Sequence, residues 1–323
     1  MKFITSFFVT VLFLAPTLYG LILGVDPYNK FGNNLFGFET KAVDFARENK
    51  FNQVEHASKD YTAFIMGSSS AHRYETKELN RLTGLVSYNY STQSATPEDY
   101  IAMTRHILTK FKPKLILISL DFEVMNKNTK TDDMFYSSPL KNYLEEVPAE
   151  NLKADLVNDT YLTLEAVRDT FKVIWVNLFG KARHAYLANG DHVQEPRGKT
   201  LKVVQFSGGK YVLDTQRVAY LKTLEALAQK NGIRLVVFTS PLSLEHLNRI
   251  YADPQLISAH KLFKATLVEI FGELWDFQNE DIAAYNSVQY FQNSNHPTHE
   301  FSTMILEEML GKSGPKFGKL IKK

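Results

Sequence analysis

Two short stretches carry side chains that could do covalent chemistry. The first is Phe64-Ile65-Met66-Gly67-Ser68-Ser69-Ser70-Ala71-His72. An apolar run enters a glycine and three serines, and a polar helical stretch follows. Glycine permits a tight turn, N–H groups at a helix start can hold an oxyanion, and a serine there is a nucleophile if a base reaches it. Serine is also a preferred helix N-cap, so the run alone leaves both readings open. The second stretch is Tyr290-Phe291-Gln292-Asn293-Ser294-Asn295-His296-Pro297-Thr298-His299-Glu300, ahead of the last helical segment. His296 and His299 are three apart, a spacing at which metal binding is conceivable. The His-Glu-x-x-His pattern is missing and no acidic cluster is nearby, so neither a metal nor another cofactor is expected.

Composition narrows the chemistry. The chain of 323 residues has no cysteine, which excludes thiol nucleophiles, cysteine-bound zinc, iron–sulfur clusters and disulfides. A hydroxyl is then the available nucleophile of this kind. Net charge is +2, far from the basic excess of a nucleic-acid binder. The hydrophobic fraction of 44% and charged fraction of 22% are those of a globular chain, neither disordered nor a multi-span transporter. The length allows two domains, or one large α/β domain with an insertion.

The elements that must position these residues alternate between apolar strands and helical periods. Strands are expected at residues 62–66, 85–90, 115–120, 233–238 and 274–277. Helices are expected at 97–111, 212–230, 257–271 and 300–310. This rhythm predicts an α/β fold with a mostly parallel sheet covered on both faces. Residues 127–209 break it and are expected as an insertion within an α/β domain spanning 60–310. Within the insertion, Tyr161, Phe171, Trp175, Phe179 and Tyr186 are expected to pack in a helical core, with sugar stacking as the alternative. Trp275 is also expected in a core. His72 and Arg73 are expected on a solvated helix face, otherwise as a contact for an anionic glycan.

The N-terminus has its own signature. No charge occurs between Lys2 and Asp26, and residues 3–25 are dominated by Phe, Leu, Val and Ile. As a helix they would span roughly 35 Å, enough for a bilayer. The run is longer than the ~7–15 apolar residues of a cleaved signal, and no convincing cleavage site follows. One transmembrane signal-anchor at 1–25 is therefore expected, single-pass in the inner or plasma membrane, with a turn-rich linker at 26–59. Lys2 favours the N-terminus inside and the remainder outside. The last thirteen residues, 311–323, carry five lysines and no acid. They are expected as a frayed basic tail, with attraction to an anionic surface as the sharper option.

Taken together, the two stretches resemble the SGNH/GDSL hydrolase superfamily. Gly67-Ser68-Ser69-Ser70-Ala71 is similar to its first block in the Gly-x-Ser-Arg-Ala form found in envelope proteins of the teichoic acid D-alanylation and alginate O-acetylation type. Asn293-Ser294-Asn295-His296 stands where the superfamily has Asp-x-x-His, just before the final helix. Tyr88-Asn89-Tyr90-Ser91, Ala95-Thr96-Pro97, the strand to Asp121, Phe238-Thr239-Ser240-Pro241 and Trp275-Asp276-Phe277 keep the expected order.

The resemblance implies a three-layer, flavodoxin-like α/β sandwich with Ser69 as nucleophile and His296 as general base. The oxyanion would rest on the Ser69 N–H and on the loop 91–96. Ser68, Ser94 and Asp121 are the expected oxyanion or substrate residues. Asp121 stands near the place of the superfamily's third-block Asn, with Asn126 a distant candidate, and Ser70 replaces the usual Arg. Asn293 replaces the acid that orients the base, so Asp276 or Asp121 could substitute, a dyad could suffice, or the site could serve binding alone. The implied activity is that of a bacterial, extracytoplasmic serine esterase or O-acyltransferase on acyl groups of a cell-envelope or exported polysaccharide. A multi-span acyl-carrier membrane protein is the implied partner. The alternative is a catalytically inactive glycan-binding or assembly protein of the same fold.

Overall fold

Leu115–Leu120 is apolar at every position but Ser119, and it forms a strand buried along its whole length. The computed structural model describes residues 2–33, 35–41, 46–145, 163–180, 186–193, 210–311 and 316–323, with the backbone alone for residues 2–11. Around that strand, β3, lie β1 (Ala63–Met66), β2 (Ser87–Asn89), β4 (Arg234–Thr239), β5 (Glu273–Asp276) and β8 (Lys319–Lys322). A hairpin of β6 (Phe291–Asn293) and β7 (His296–Pro297) stands apart. The sheet order is β2-β1-β3-β4-β5-β8. The first five strands are parallel, with registers such as Ala63↔Ser87, Ala63↔Leu115 and Phe238↔Trp275. The chain steps from β1 outward to β2, then back across to β3. Such a reversal opens a crevice beyond the C-terminal ends of β1 and β3, where open α/β sheets place their sites.

The helices are α1 (Lys2–Val25), α2 (Ala46–Glu55), α3 (Thr76–Thr83), α4 (Pro97–Lys110), α5 (Asp133–Ser137), α6 (Leu164–Phe179), α7 (Thr215–Lys230), α8 (Leu244–Ala252), α9 (Pro254–Phe271) and α10 (His299–Leu310). α4, α7 and α9 pack in a row, and α3 packs on α10. The helix expected at 212–230 starts three residues later because the Asp214 carboxylate caps the N–H groups of Gln216 and Arg217.

The segment expected as a linker belongs to the body. α2 buries Phe51 and Val54 in the main core, and its Arg47 pairs with buried Asp99 at 2.7 Å. The inward face of α2 is largely polar, so hydrophobic periodicity does not reveal it. The C-terminal residues are likewise not frayed. β8 pairs antiparallel with β5, and Glu308 Oε1 accepts the N–H groups of Lys316, Phe317 and Gly318. Lys322 meets Glu273 and Lys319 meets Glu280 and Asp281, so the basic tail docks on acids.

The N-terminal segment is one helix, as its apolar run predicts. Ile22, Val25 and Tyr28 form a second small core with Ala166 and Val173 of α6, and Tyr28 Oη donates to Asp169 at 3.1 Å. Among the described residues no helix is long and apolar enough to cross a membrane. In α6, Trp175, Phe171 and Phe179 are exposed, against the expected core packing, whereas Tyr186 is buried. Tyr161 lies outside the described residues, and Trp275 is half-buried on β5.

Candidate active site

β1 ends in Gly67, whose φ of +156° and surroundings both demand glycine. A Cβ there would lie 2.5 Å from Ala71 Cβ and 3.0 Å from the Ser119 carbonyl. The chain then enters a short 3-10 helix, Ser69–Arg73, with Ser68 as its N-cap. Ser68 and Ser70 turn inward and are buried, while Ser69 between them reaches the surface. Ser69 Oγ lies 2.7 Å from His296 Nε2. As the first residue of the helix, Ser69 has no intrahelical acceptor for its N–H, which stays beside its own hydroxyl.

His296 comes from the β6–β7 hairpin, where it pairs directly with Asn293. Its Nδ1 lies 2.8 Å from Asn293 Oδ1, and the backbone N–H of Asn295 donates to the same oxygen at 3.2 Å. The hairpin is pinned at its tip: Ser243 N–H donates to the Ser294 carbonyl at 2.8 Å, and His246 Nδ1 sits 3.2 Å from Ser294 Oγ. A serine hydroxyl, an imidazole and an amide oxygen thus stand in line. The arrangement can take the serine proton as the hydroxyl attacks an electrophilic carbon.

Neither expected carboxylate backs His296. Asp121, at the end of β3, accepts from Ser68 Oγ and, at 3.1 Å, from Ser70 Oγ, and so grips both neighbours of Ser69. Ser70 also reaches Ser240 at 2.9 Å, and Ser240 reaches Ser119 at 2.6 Å. Burial pushes the Asp121 carboxyl up, and hydrogen bonds from Ser240, Ser68 and Ser70 pull it back. Asp276 is engaged with Lys264 at 2.7 Å. Asn126 holds the end of the insertion through the N–H of Val212. His299 faces Glu75 at 3.5 Å and is pushed down to about 4 by burial. Among the described residues no cluster of three or more metal-ligating side chains is placed to hold an ion.

The loop 91–96 flanks the serine. Ser94, at φ +50°, is exposed at its tip. Thr92 donates its N–H to the Gly67 carbonyl at 3.1 Å, and its buried hydroxyl has no partner among the described residues. Two residues behind this loop, Asn89 and Lys50, have no role assigned from the sequence. Asn89 donates to the carbonyls of Ala71 at 3.1 Å and Tyr74 at 2.9 Å and accepts from the Ser91 N–H at 3.0 Å. Lys50 Nζ, fully buried, donates to the carbonyls of Asn89 at 2.9 Å and Ser91 at 2.7 Å. Together they tie the serine helix to the loop. A polar residue inside α2 and an asparagine at a strand end were the available signals, and both types are ordinary at a surface.

His72 and Arg73 are buried, contrary to expectation, because residues 186–193 of the insertion cover them. His192 stacks on His72 with centroids 5.4 Å apart, and Arg73 bridges His192 Nδ1 at 3.3 Å and Gln292. Burial holds His72 well below the usual histidine range, and the nearby charges of Lys50, His192 and Arg73 add to this.

No curated protein matches the chain. One family model matches residues 3–182, more than half of the chain, with the description "Protein of unknown function (DUF1574)". The match takes in α1, the Ser69 turn and α6, and ends before His296. On that match the chain belongs to the DUF1574 family.

Proposed function

We propose that this chain is a membrane-tethered serine esterase or O-acyltransferase of SGNH-like, three-layer architecture, acting outside the cytoplasm on acyl groups of a cell-envelope or exported polysaccharide. One observation carries the reading: Ser69 Oγ lies 2.7 Å from His296 Nε2 while Asn293 Oδ1 lies 2.8 Å from Nδ1. The strand order β2-β1-β3-β4-β5 and the position of Ser69 beyond β1 support it. In this mechanism His296 takes the Ser69 proton as Oγ adds to the ester carbonyl. The oxyanion is held by the Ser69 N–H with groups of the loop 91–96. His296 returns the proton to the leaving alcohol, and water or a sugar hydroxyl then releases the acyl group from Ser69 by the same steps. The residues need no metal for this. A multi-span membrane protein that delivers acyl groups is the partner in the transfer direction.

A second reading is a non-catalytic glycan-binding or assembly protein. The observation favouring it is that an amide, Asn293, and not a carboxylate backs His296, while the nearby Asp121 carboxylate is taken up by Ser68 and Ser70. Labelling with a fluorophosphonate separates the two, since it reports an activated serine without a known substrate. The enzyme reading expects labelling of the wild type and none of Ser69→Ala, with parallel loss of p-nitrophenyl acetate turnover. Equal labelling or turnover in both would overturn it.

A further inference from the structure

The outward face of α6 is apolar where a solvated helix would be polar. Phe171, Trp175, Leu178 and Phe179 follow helical spacing and are each between 52% and 63% exposed. Trp175 and Phe179 touch each other, at 4.4 Å between ring centroids, and neither belongs to a core cluster of the described residues. Clusters of this kind on a folded protein mark a contact surface.

We infer that this face lies in the lipid interface beside the N-terminal helix, as a second membrane contact. The inference rests on the membrane-tether part of the function proposed above. Three features select lipid as the occupant. α6 packs directly on α1 through the small core of Ile22, Val25, Ala166 and Val173, so the exposed face belongs to a helix held against the one whose sequence carries no charge from residue 3 to residue 25. On α1 the described residues Leu12, Phe13 and Leu14 are themselves exposed, giving both helices bare apolar flanks. Arg168 and Lys172, half-exposed beside the rings, pair with Glu165 and Asp169 on the same helix, and long charged side chains next to bare aromatic rings are the pattern of a helix lying in an interface. The contact would hold the Ser69 crevice at a set attitude to the membrane, which a single flexible anchor does not do.

The chain has two tryptophans, Trp175 and Trp275, so Trp275→Phe leaves Trp175 as the sole reporter. The full-length variant is reconstituted into vesicles of phosphatidylcholine and phosphatidylglycerol, with and without acyl-brominated lipid. Flotation is read first. If the chain does not float with the vesicles, the tether reading fails and this inference falls with it. If it floats, bromolipid is expected to quench Trp175 emission by roughly half, because an interfacial helix buries its rings ~5–10 Å into the headgroup–acyl boundary. A floating chain with unquenched, water-like emission overturns the inference. So does blue-shifted but unquenched emission, which would place a second copy or another protein on the face. Should Trp275→Phe fold poorly, the difference between wild type and Trp175→Phe isolates the same signal at an exposed position.

Discussion

Asn293 Oδ1 accepts two hydrogen bonds at once, from the backbone N–H of Asn295 at 3.2 Å and from His296 Nδ1 at 2.8 Å. A backbone N–H can only donate, so the amide atom it faces must be the oxygen. That places the proton of a neutral His296 on Nδ1 and the lone pair on Nε2, toward Ser69. An asparagine in a serine protease triad costs about 10⁴ in rate through the wrong tautomer. Here the neighbouring backbone enforces the right one. What the amide cannot supply is negative charge to stabilise the imidazolium. Asn293→Asp is therefore expected to raise the fluorophosphonate labelling rate by roughly ten-fold or more and to move the acid limb of its pH profile upward. Asn293→Ala loses the orienting bond, about 1–2 kcal/mol or roughly ten-fold in rate. Labelling of Asn293→Ala at the wild-type rate would show that this amide does not orient the base.

Gly67 sets the serine turn, and its replacement is expected to damage both stability and site. In Gly67→Ala the new Cβ would meet Ala71 Cβ at 2.5 Å and Ser119 Cβ at 3.0 Å, at a φ of +156°. Backbone strain and overpacking together should cost about 2–4 kcal/mol. Thermal unfolding should show the loss, and the folded fraction should label poorly because the 3-10 helix must shift. Adding Ala71→Gly removes the nearer contact and should recover part of the melting temperature. A double variant no more stable than the single one would contradict this account.

Much of this site was legible from residue order, and the exceptions share a cause. Buried strands such as Leu115–Leu120 announce themselves because apolar residues fill all but one of their positions. Ser69 and His296 are paired in the sequence through the resemblance of their two motifs to one superfamily, and the structure brings them within 2.7 Å. Lys50, Asn89, His72 and Arg73 were not legible, because Lys50, Asn89 and Arg73 are buried through hydrogen bonds to distant groups and His72 by stacking on a distant ring. Local periodicity records only apolar burial. Trp175 failed in the opposite sense: its type reports hydrophobicity, not whether protein or something else covers it.

Lys50 should give the protein a recognisable pH dependence. Burial pushes its ammonium down to about 7 from an ordinary 10.5, with Asp191 opposing the shift. Between those values the unfolded chain binds a proton that the folded chain does not. Stability therefore rises with pH from about 7 to 10, the charged lysine being the costly form inside. Lys41, pushed down to about 8 by burial, adds to the slope in the upper part of that range. In Lys50→Met the rise between about pH 7 and 8 should flatten while the rise above it persists. Urea midpoints measured across this range test the assignment, and an unchanged slope near pH 7.5 would refute it.

The covering segment 186–193 should come away when its carboxylate is removed. Asp191 accepts from the Thr76 N–H at 3.0 Å, from Thr76 Oγ1 at 2.8 Å and from Asn189 Nδ2 at 2.9 Å, and so caps the first turn of α3. Next to it the Asn89 N–H donates to the Asn189 carbonyl at 3.0 Å. Gly190, at φ +78°, lies so close to β2 that a Cβ would stand 2.1 Å from the Asn89 carbonyl. Asp191→Ala should cost about 1–2 kcal/mol, the range of a lost helix cap. Because the contacts are local, the effect should appear in native-state hydrogen exchange before global unfolding, as faster exchange at the Thr76 and Asn89 amides. Gly190→Ala, which leaves the carboxylate in place but pushes the segment off β2, should speed exchange at Asn89 more than at Thr76. If Asn89 stays protected in both variants, the segment does not depend on these contacts, and the burial of His72 beneath His192 needs another explanation.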